Sequence, residues 1–171
     1  MTLPDLAIGG TMQVGKTTCA DHLAARHGYA RYALADPIKE IAIGSFGWDG
    51  RKDDRGRRLL QEIGSAGRRY DPRMWLRRFD AWLASRPGAP VVIDDLRLTL
   101  EADHLRAKGF LILLLRRPGF HPRTEAPALL QHETETELER VRADLTLVNA
   151  GSVADLLRQI DEALPRLTRL G

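Results

Sequence analysis

The sequence predicts an α/β fold with a mainly parallel sheet, and two observations carry that expectation. Short apolar, β-branched or aromatic runs at residues 6–8, 29–34, 91–93, 110–115 and 145–148 alternate with segments of helical periodicity, as strands joined by helical crossovers do. Directly after the first run stands GGTMQVGKTT, residues 9–18, which fits G-x-x-x-x-G-K-[ST] with Gly10, Gly15, Lys16 and Thr17. Such a loop turns its N–H groups inward around phosphate oxygens and opens a helix that points its positive end at the same anion. The 171 residues suffice for one well-buried core, and no linker or compositional break divides them. One domain over 1–171 is therefore expected.

Taken in order, the glycine-rich loop is the predicted nucleotide site, with Gly10, Val14, Gly15, Lys16, Thr17 and Thr18 as its residues. Lys16 is the charge that reaches the β and γ phosphates, and the Thr17 hydroxyl is a ligand for Mg²⁺. The helix that follows is expected over 16–27, closed by Gly28. After the second strand, ALADPIKE (33–40) puts Asp36 at the sheet edge where ligands sit in open α/β folds. Asp36 is a proton acceptor for a hydroxyl substrate, a group that only positions a phosphate acceptor, or a helix cap before Pro37. Lys39 is either an acceptor-phosphate contact or a solvated lysine.

A long helical excursion then runs from 37 to about 85. Asp71 and Pro72 read as its cap and first-turn pair, and Trp75, Phe79, Trp82 and Leu83 recur on one helix face. These aromatics are read as core, with base stacking at Trp75 as the alternative. Between 51 and 78 the basic residues Arg51, Lys52, Arg55, Arg57, Arg58, Arg68, Arg69, Arg73, Arg77 and Arg78 outnumber the acids. A solvated face accounts for most of them, and the excess also suits a polyanionic partner, a nucleotide or a DNA backbone. VVIDDLR (91–97) reads as an apolar strand, the third, ending in two carboxylates. Asp94 is the expected metal-side carboxylate; Asp95, facing the other way, pairs with Arg97, orients a substrate or caps the next helix. RRPGFHPR (116–123) reads as a glycine- and proline-rich loop whose Arg117 and Arg123 are candidates to close over a transferring phosphoryl group, or are surface charge. The last helix starts at Ser152 with Asp155 three residues on, and Val153, Leu156, Leu157, Ile160 and Leu164 form its apolar face.

A hydrophobic content of 43% with 29% charged residues describes a globular chain rather than a disordered one. No apolar stretch is long enough to span a bilayer, and MTLPDLAIGG lacks the pattern of a signal peptide, so a cytoplasmic protein without a membrane partner is expected. The single cysteine, Cys19, reads as a small buried apolar residue. No His or Cys pair has zinc-like spacing.

Together the loop, ALADPIKE, GWDGRKD, RRLLQEIGSAGRRYDPRMW, VVIDDLRLTLEA, the HETE of 132–135 and DLTLVNAGSVADL resemble the phage-type deoxynucleoside monophosphate kinases, a branch of the P-loop nucleoside monophosphate kinases. The resemblance covers almost the whole chain. It implies a three-layer P-loop kinase fold with sheet order 2-3-1-4-5, an acceptor site built from 37–85 and a short lid over 116–134. It also implies Asn149 and Gly151 near the adenine and Arg117 at the start of the lid. The residues expected around the acceptor are Asp36, Lys39, Arg68, Arg69, Trp75, Arg78, Asp95 and Arg97. In this sequence GSAGRRYDP is shorter than the family pattern, so Arg68 and Arg69 compete for one role. Leu98 and Thr99 stand where an aromatic and an Asn-like pair are expected.

The expected function is transfer of the γ-phosphoryl group of ATP, with Mg²⁺, to a deoxynucleotide, most simply a deoxynucleoside monophosphate. One alternative is phosphorylation of a hydroxymethylated pyrimidine (5-hydroxymethyluracil) within phage DNA, with DNA as substrate. Small-metabolite kinases of similar outline, such as those for phosphomevalonate, come next, and a nucleotide-binding switch without kinase activity is a separate class. A homodimer is left open, and for a phage-encoded chain the compartment would be the host cytoplasm.

Overall fold

The computed structural model describes residues 3–86, 88–121 and 137–169. Among them are five strands: β1 Leu6–Gly9, β2 Ala30–Tyr32, β3 Val91–Leu96, β4 Leu111–Arg116 and β5 Leu145–Val148. All pair in parallel, in the order β2-β3-β1-β4-β5. Six α-helices are described, α1 Lys16–His27, α2 Asp36–Phe46, α3 Asp54–Tyr70, α4 Met74–Ala84, α5 Thr99–Ala107 and α6 Val153–Leu167. None is long and apolar enough to cross a membrane.

Strand alternation divides the core into two layers. Leu6 and Ile8 of β1 join Val92, Leu113 and Leu115 against Cys19, Ala20 and Leu23 of α1 and Leu156, Ile160 and Leu164 of α6. Ala7 faces the opposite side, with Ile93, Leu96, Ile112 and Leu114, under α4 and α5. A parallel sheet covered on both faces needs the near-continuous apolar strands seen here. Phe79 is the centre of the second layer, 5.7 Å from Phe110 edge-on and 5.3 Å from Tyr32 between ring centroids. Trp75 and Phe79 are buried as the periodicity predicts, while Trp82 and Leu83 pack at the margin.

Local chemistry sets most boundaries. Gly28 takes φ 73° and closes α1 with N–H bonds back to Ala24 and Leu23. The Ser152 side chain accepts the Asp155 N–H, and the Asp155 carboxylate accepts the Ser152 N–H in return. One boundary moves and one expectation is corrected. β3 runs past the apolar run 91–93 to Leu96, and Asp94 and Asp95 lie toward its end, as the two-carboxylate strand end predicts. Asp71 does not start the next helix: its N–H bonds Gly67 O at the end of α3, its carboxylate accepts the Arg73 N–H and pairs with Arg77, and α4 begins at Met74.

The excursion is three helices, and α3 turns a glycine face inward through Gly56, Gly64 and Gly67. A Cβ on Gly67 would collide with Trp75 Cζ2 and come within 2.8 Å of Cε2. Trp75 cannot retreat, because its indole N–H donates to Gly64 O at 3.0 Å. Gly67→Ala should therefore destabilise the chain by about 1–3 kcal/mol of overpacking. The roughly 1 kcal/mol gained in helix propensity only partly offsets this. Thermal unfolding at or above the parent midpoint would contradict this packing.

Candidate functional site

The site opens where β1 and β3 end and α1 begins. Gly10 has φ 154° and Gly15 φ 107°. A Cβ on Gly10 would lie 2.7 Å from Val14 Cγ1 and 2.8 Å from Leu115 O, and one on Gly15 2.9 Å from Leu156 Cδ2. Only glycine permits this backbone here. Gln13 is the one described non-glycine residue with positive φ, at 63°. The Val14 side chain is fully buried in the first core layer, and Asn149 Nδ2 donates to Val14 O at 2.9 Å from beyond β5. The loop is thus fixed from both sides.

Lys16 is 7% exposed. Its Nζ donates to Gly10 O at 2.7 Å and Thr11 O at 2.8 Å, which leaves one of three N–H bonds for a ligand. Burial lowers its pKa to about 7, helped by the Arg97 charge and opposed by Asp95 and Asp94. Thr17 Oγ1 donates to Asp94 Oδ2 at 3.0 Å, and Arg31 Nη2 reaches the same oxygen at 2.7 Å. Asp94 Oδ1 is the one buried side-chain polar atom among the described residues without a hydrogen-bond partner. An orphaned carboxylate oxygen beside a hydroxyl is a hard oxygen donor set that fits Mg²⁺. Thr17 and Asp94, the two residues predicted for the metal, therefore lie together.

Asp95 faces the turn after β2. Its two oxygens accept the Leu34 and Ala35 N–H groups, each at 2.8 Å, so it fixes that turn against β3. Burial and the neighbouring Asp94 raise its pKa. Asp36 is the first residue of α2 and turns aside, accepting from Ala33 N at 3.2 Å and Lys39 Nζ at 2.6 Å. A carboxylate at the positive end of a helix is well placed electrostatically. Asp36 is not among the cavity's lining residues, whereas Asp95 and Lys39 are.

That cavity, about 470 Å³, runs from the loop to α2, α3 and Trp75. Seven basic side chains line it against three carboxylates, the basic ones being Lys16, Arg31, Lys39, Lys52, Arg57, Arg68 and Arg97. Adjacent residues on a helix diverge, and Arg68 lines the cavity while Arg69 is exposed outside it. Thr17, Thr18, Gly15 and Val14 line it too. Arg78 is exposed and outside the lining. So is Arg117, whose guanidinium lies 4.5 Å from the centre of the Phe120 ring. Arg123 and the HETE segment fall outside the described residues. Gly151, at the start of α6, leaves room for Asp155: a Cβ would sit 2.7 Å from Asp155 Oδ2.

Four charged lining residues escaped the sequence reading as individuals. Arg31 interrupts an apolar strand with a charge and bridges Asp21 and Asp94, and that interruption was its only signal. Lys52 and Arg57 were two cations in a basic run. Glu101 accepts the Arg97 N–H at 2.9 Å and the Leu98 N–H at 3.0 Å. Burial raises its pKa to about 7.

No protein-family model matches the chain. Over 176 residues it is 28% identical to a protein of Acanthamoeba polyphaga mimivirus provisionally named a deoxynucleotide monophosphate kinase, covering 85% of this chain and 88% of that one. The uncharacterized protein ORF77 of Ictalurid herpesvirus 1 (strain Auburn) is 30% identical over 164 residues, covering 94% of this chain and 70% of its relative. Among solved structures, shikimate kinase from Aquifex aeolicus superposes with a TM-score of 0.55 at 14% identity, over 98% of this chain and 99% of its own. That likeness shows the fold.

Proposed function

We propose that the chain, which is similar to a viral protein provisionally named a deoxynucleotide monophosphate kinase, is a P-loop kinase that transfers the γ-phosphoryl group of ATP to a deoxynucleoside monophosphate. One observation carries the reading: a single cavity joins Lys16 and Thr17 of the loop to a second basic wall made by Lys39, Lys52, Arg57 and Arg68. Two separated cationic regions suit a triphosphate donor and an acceptor with its own phosphate.

In this mechanism the loop N–H groups and Lys16 hold the donor, and the α2 and α3 side chains orient the acceptor phosphate in line. Asp95 acts through backbone, holding the turn that carries Ala33, Leu34 and Ala35 against the sheet. Mg²⁺, held by Thr17 and Asp94, would supply neutralisation of charge on the β and γ oxygens. A phosphate acceptor is already an oxyanion and needs no general base, which agrees with an Asp36 turned onto Ala33 and Lys39. Phosphorylation of a hydroxymethyl group in DNA needs a base, and Asp36 lends that reading no support. A switch without transfer would leave the second basic wall without a task.

The test is ADP release with each deoxynucleoside monophosphate and with DNA carrying plain or hydroxymethylated pyrimidines. Release only with hydroxymethylated DNA, or with no acceptor, would overturn the proposal. On a monophosphate, Asp36→Asn should cost no more than about tenfold in turnover, roughly 1.4 kcal/mol. A hydroxyl acceptor would make the same change cost about 10²–10⁴-fold.

Donor binding should also take up protons. Lys16 stands at about 7 when buried without a polyanion, and triphosphate charge favours its protonated form, raising its pKa. Glu101, also at about 7, moves in the same direction. The complex then binds more protons than the free chain, so ATP affinity falls as pH rises above 7, by up to about tenfold per unit for one proton taken up. Titration calorimetry in two buffers of different ionisation heat reads that uptake directly. Identical heats in both, with constant affinity from pH 7 to about 9, would contradict the coupling.

A further inference from the structure

The back of the first core layer holds a cluster that the phosphate site does not use. His22 and His27 of α1 both bring Nε2 to one oxygen of Asp161 in α6, at 2.8 and 2.7 Å. The three potential ligand atoms lie within 4.8 Å of one another. The side chains are partly open, 16%, 23% and 30% exposed, so an ion can reach them from solvent. The other Asp161 oxygen is steadied by Arg26 Nε at 3.5 Å, leaving Oδ1 turned toward the two imidazoles.

We infer that His22, His27 and Asp161 form a binding site for a late first-row divalent cation, Zn²⁺ in particular, that fastens the C-terminal end of α1 to α6. Two imidazole nitrogens and one carboxylate oxygen are a zinc donor set, with a fourth position for water; the four residues between His22 and His27 are a zinc-like spacing, which corrects the expectation that no such pair exists. Opening the present contacts by about half an ångström admits an ion with bonds of about 2 Å in tetrahedral geometry. An imidazole that binds a metal through Nε2 keeps its proton on Nδ1. The competing arrangement is a purely hydrogen-bonded trio in which both Nε2–H groups donate to Asp161. Arg26 opposes a nearby dication, but its side chain is 67% exposed and solvent screens it. The distribution of donors also separates this site from the loop: Thr17 and Asp94 offer only oxygens and suit Mg²⁺, whereas imidazole suits zinc and the other late first-row dications.

The consequence is mechanical. α1 begins at Lys16 and Thr17, and α6 follows the Asn149 that bonds the loop at Val14. A cation joining the C-terminal half of α1 to the middle of α6 braces both elements that flank the phosphate loop.

The experiment uses the tag-free chain in millimolar Mg²⁺, titrated with ZnCl₂ by calorimetry. Saturable uptake of one zinc per chain is expected. His22→Gln and His27→Gln should each weaken it by at least about tenfold. Free zinc a hundredfold above its dissociation constant should raise the unfolding midpoint by about 5–10 °C. No saturable uptake, or unchanged affinity in the double His22→Gln/His27→Gln variant, overturns the site and leaves the hydrogen-bonded trio. Should that variant not fold, the wild-type chain decides. Zinc must protect both His22 and His27 from diethyl pyrocarbonate, and undiminished modification of both refutes the proposal.

Discussion

Lys16→Ala should lower turnover at saturating ATP and acceptor by about 10²–10³-fold, the range for removing one preorganised charge or donor from a developing anion. The size of the effect comes from the surroundings of the ammonium. It is 7% exposed, so little water screens its field. Two of its N–H groups are anchored on Gly10 O and Thr11 O. The group is therefore oriented before a ligand arrives, and no reorganisation is needed when charge develops on the transferred phosphoryl group. Folding should survive, because the ammonium is buried at a cost: desolvation holds its pKa down at about 7. Alanine removes that burden and retains the helix. Steady-state kinetics paired with thermal unfolding separates the two effects. Turnover within tenfold of the parent, with the midpoint unchanged, would falsify the role of this loop in phosphoryl transfer.

What the sequence made legible was the part governed by neighbours along the chain. The limits of α1 follow from the glycine-rich loop before it and the Gly28 cap after it, and the start of α6 from Ser152 and Asp155. Strand positions followed from apolar runs, though β2 is only Ala30–Tyr32 and β3 extends to Leu96 because pairing with β1 carries it past the apolar stretch. Thr17 and Asp94, 77 positions apart, could be placed together because the loop and the end of a neighbouring strand meet in this architecture. Side-chain direction was less accessible. Asp36 and Asp95 are both carboxylates next to the turn after β2, and nothing local decides which one enters the cavity. The answer depends on Asp95 reaching the Leu34 and Ala35 N–H groups across the sheet, while Asp36 turns to Ala33 and Lys39. Arg31 was hidden for the same reason: its partners Asp21 and Asp94 lie on two other elements.

The same limit governs Arg68 and Arg69, and here the structure turns an ambiguity into a contrast that can be measured. Arg68→Ala should raise the Michaelis constant for the acceptor by about 10–100-fold, while that for ATP changes little; Arg69→Ala should change either by less than about twofold. Both arginines sit in the last turn of α3, where either cation is favourable to the helix end and alanine is a good helix former. Their local stability effects are therefore similar and small. Their directions differ: Arg68 lines the cavity beside Gly64 and Trp75, with Nη2 3.2 Å from Ser65 Oγ, while Arg69 is exposed. A guanidinium facing a phosphate makes charge-assisted hydrogen bonds worth about 1.5–3 kcal/mol, and each 1.4 kcal/mol is a factor of about ten in affinity. Arg68→Lys should recover only part of the loss, since an ammonium keeps the charge but not the two-pronged geometry. Equal weakening of donor and acceptor would mean that Arg68 supports the fold of the cavity rather than gripping the acceptor. A larger effect at Arg69 than at Arg68 would reverse the assignment of the inward face of α3 and, with it, the proposed acceptor site.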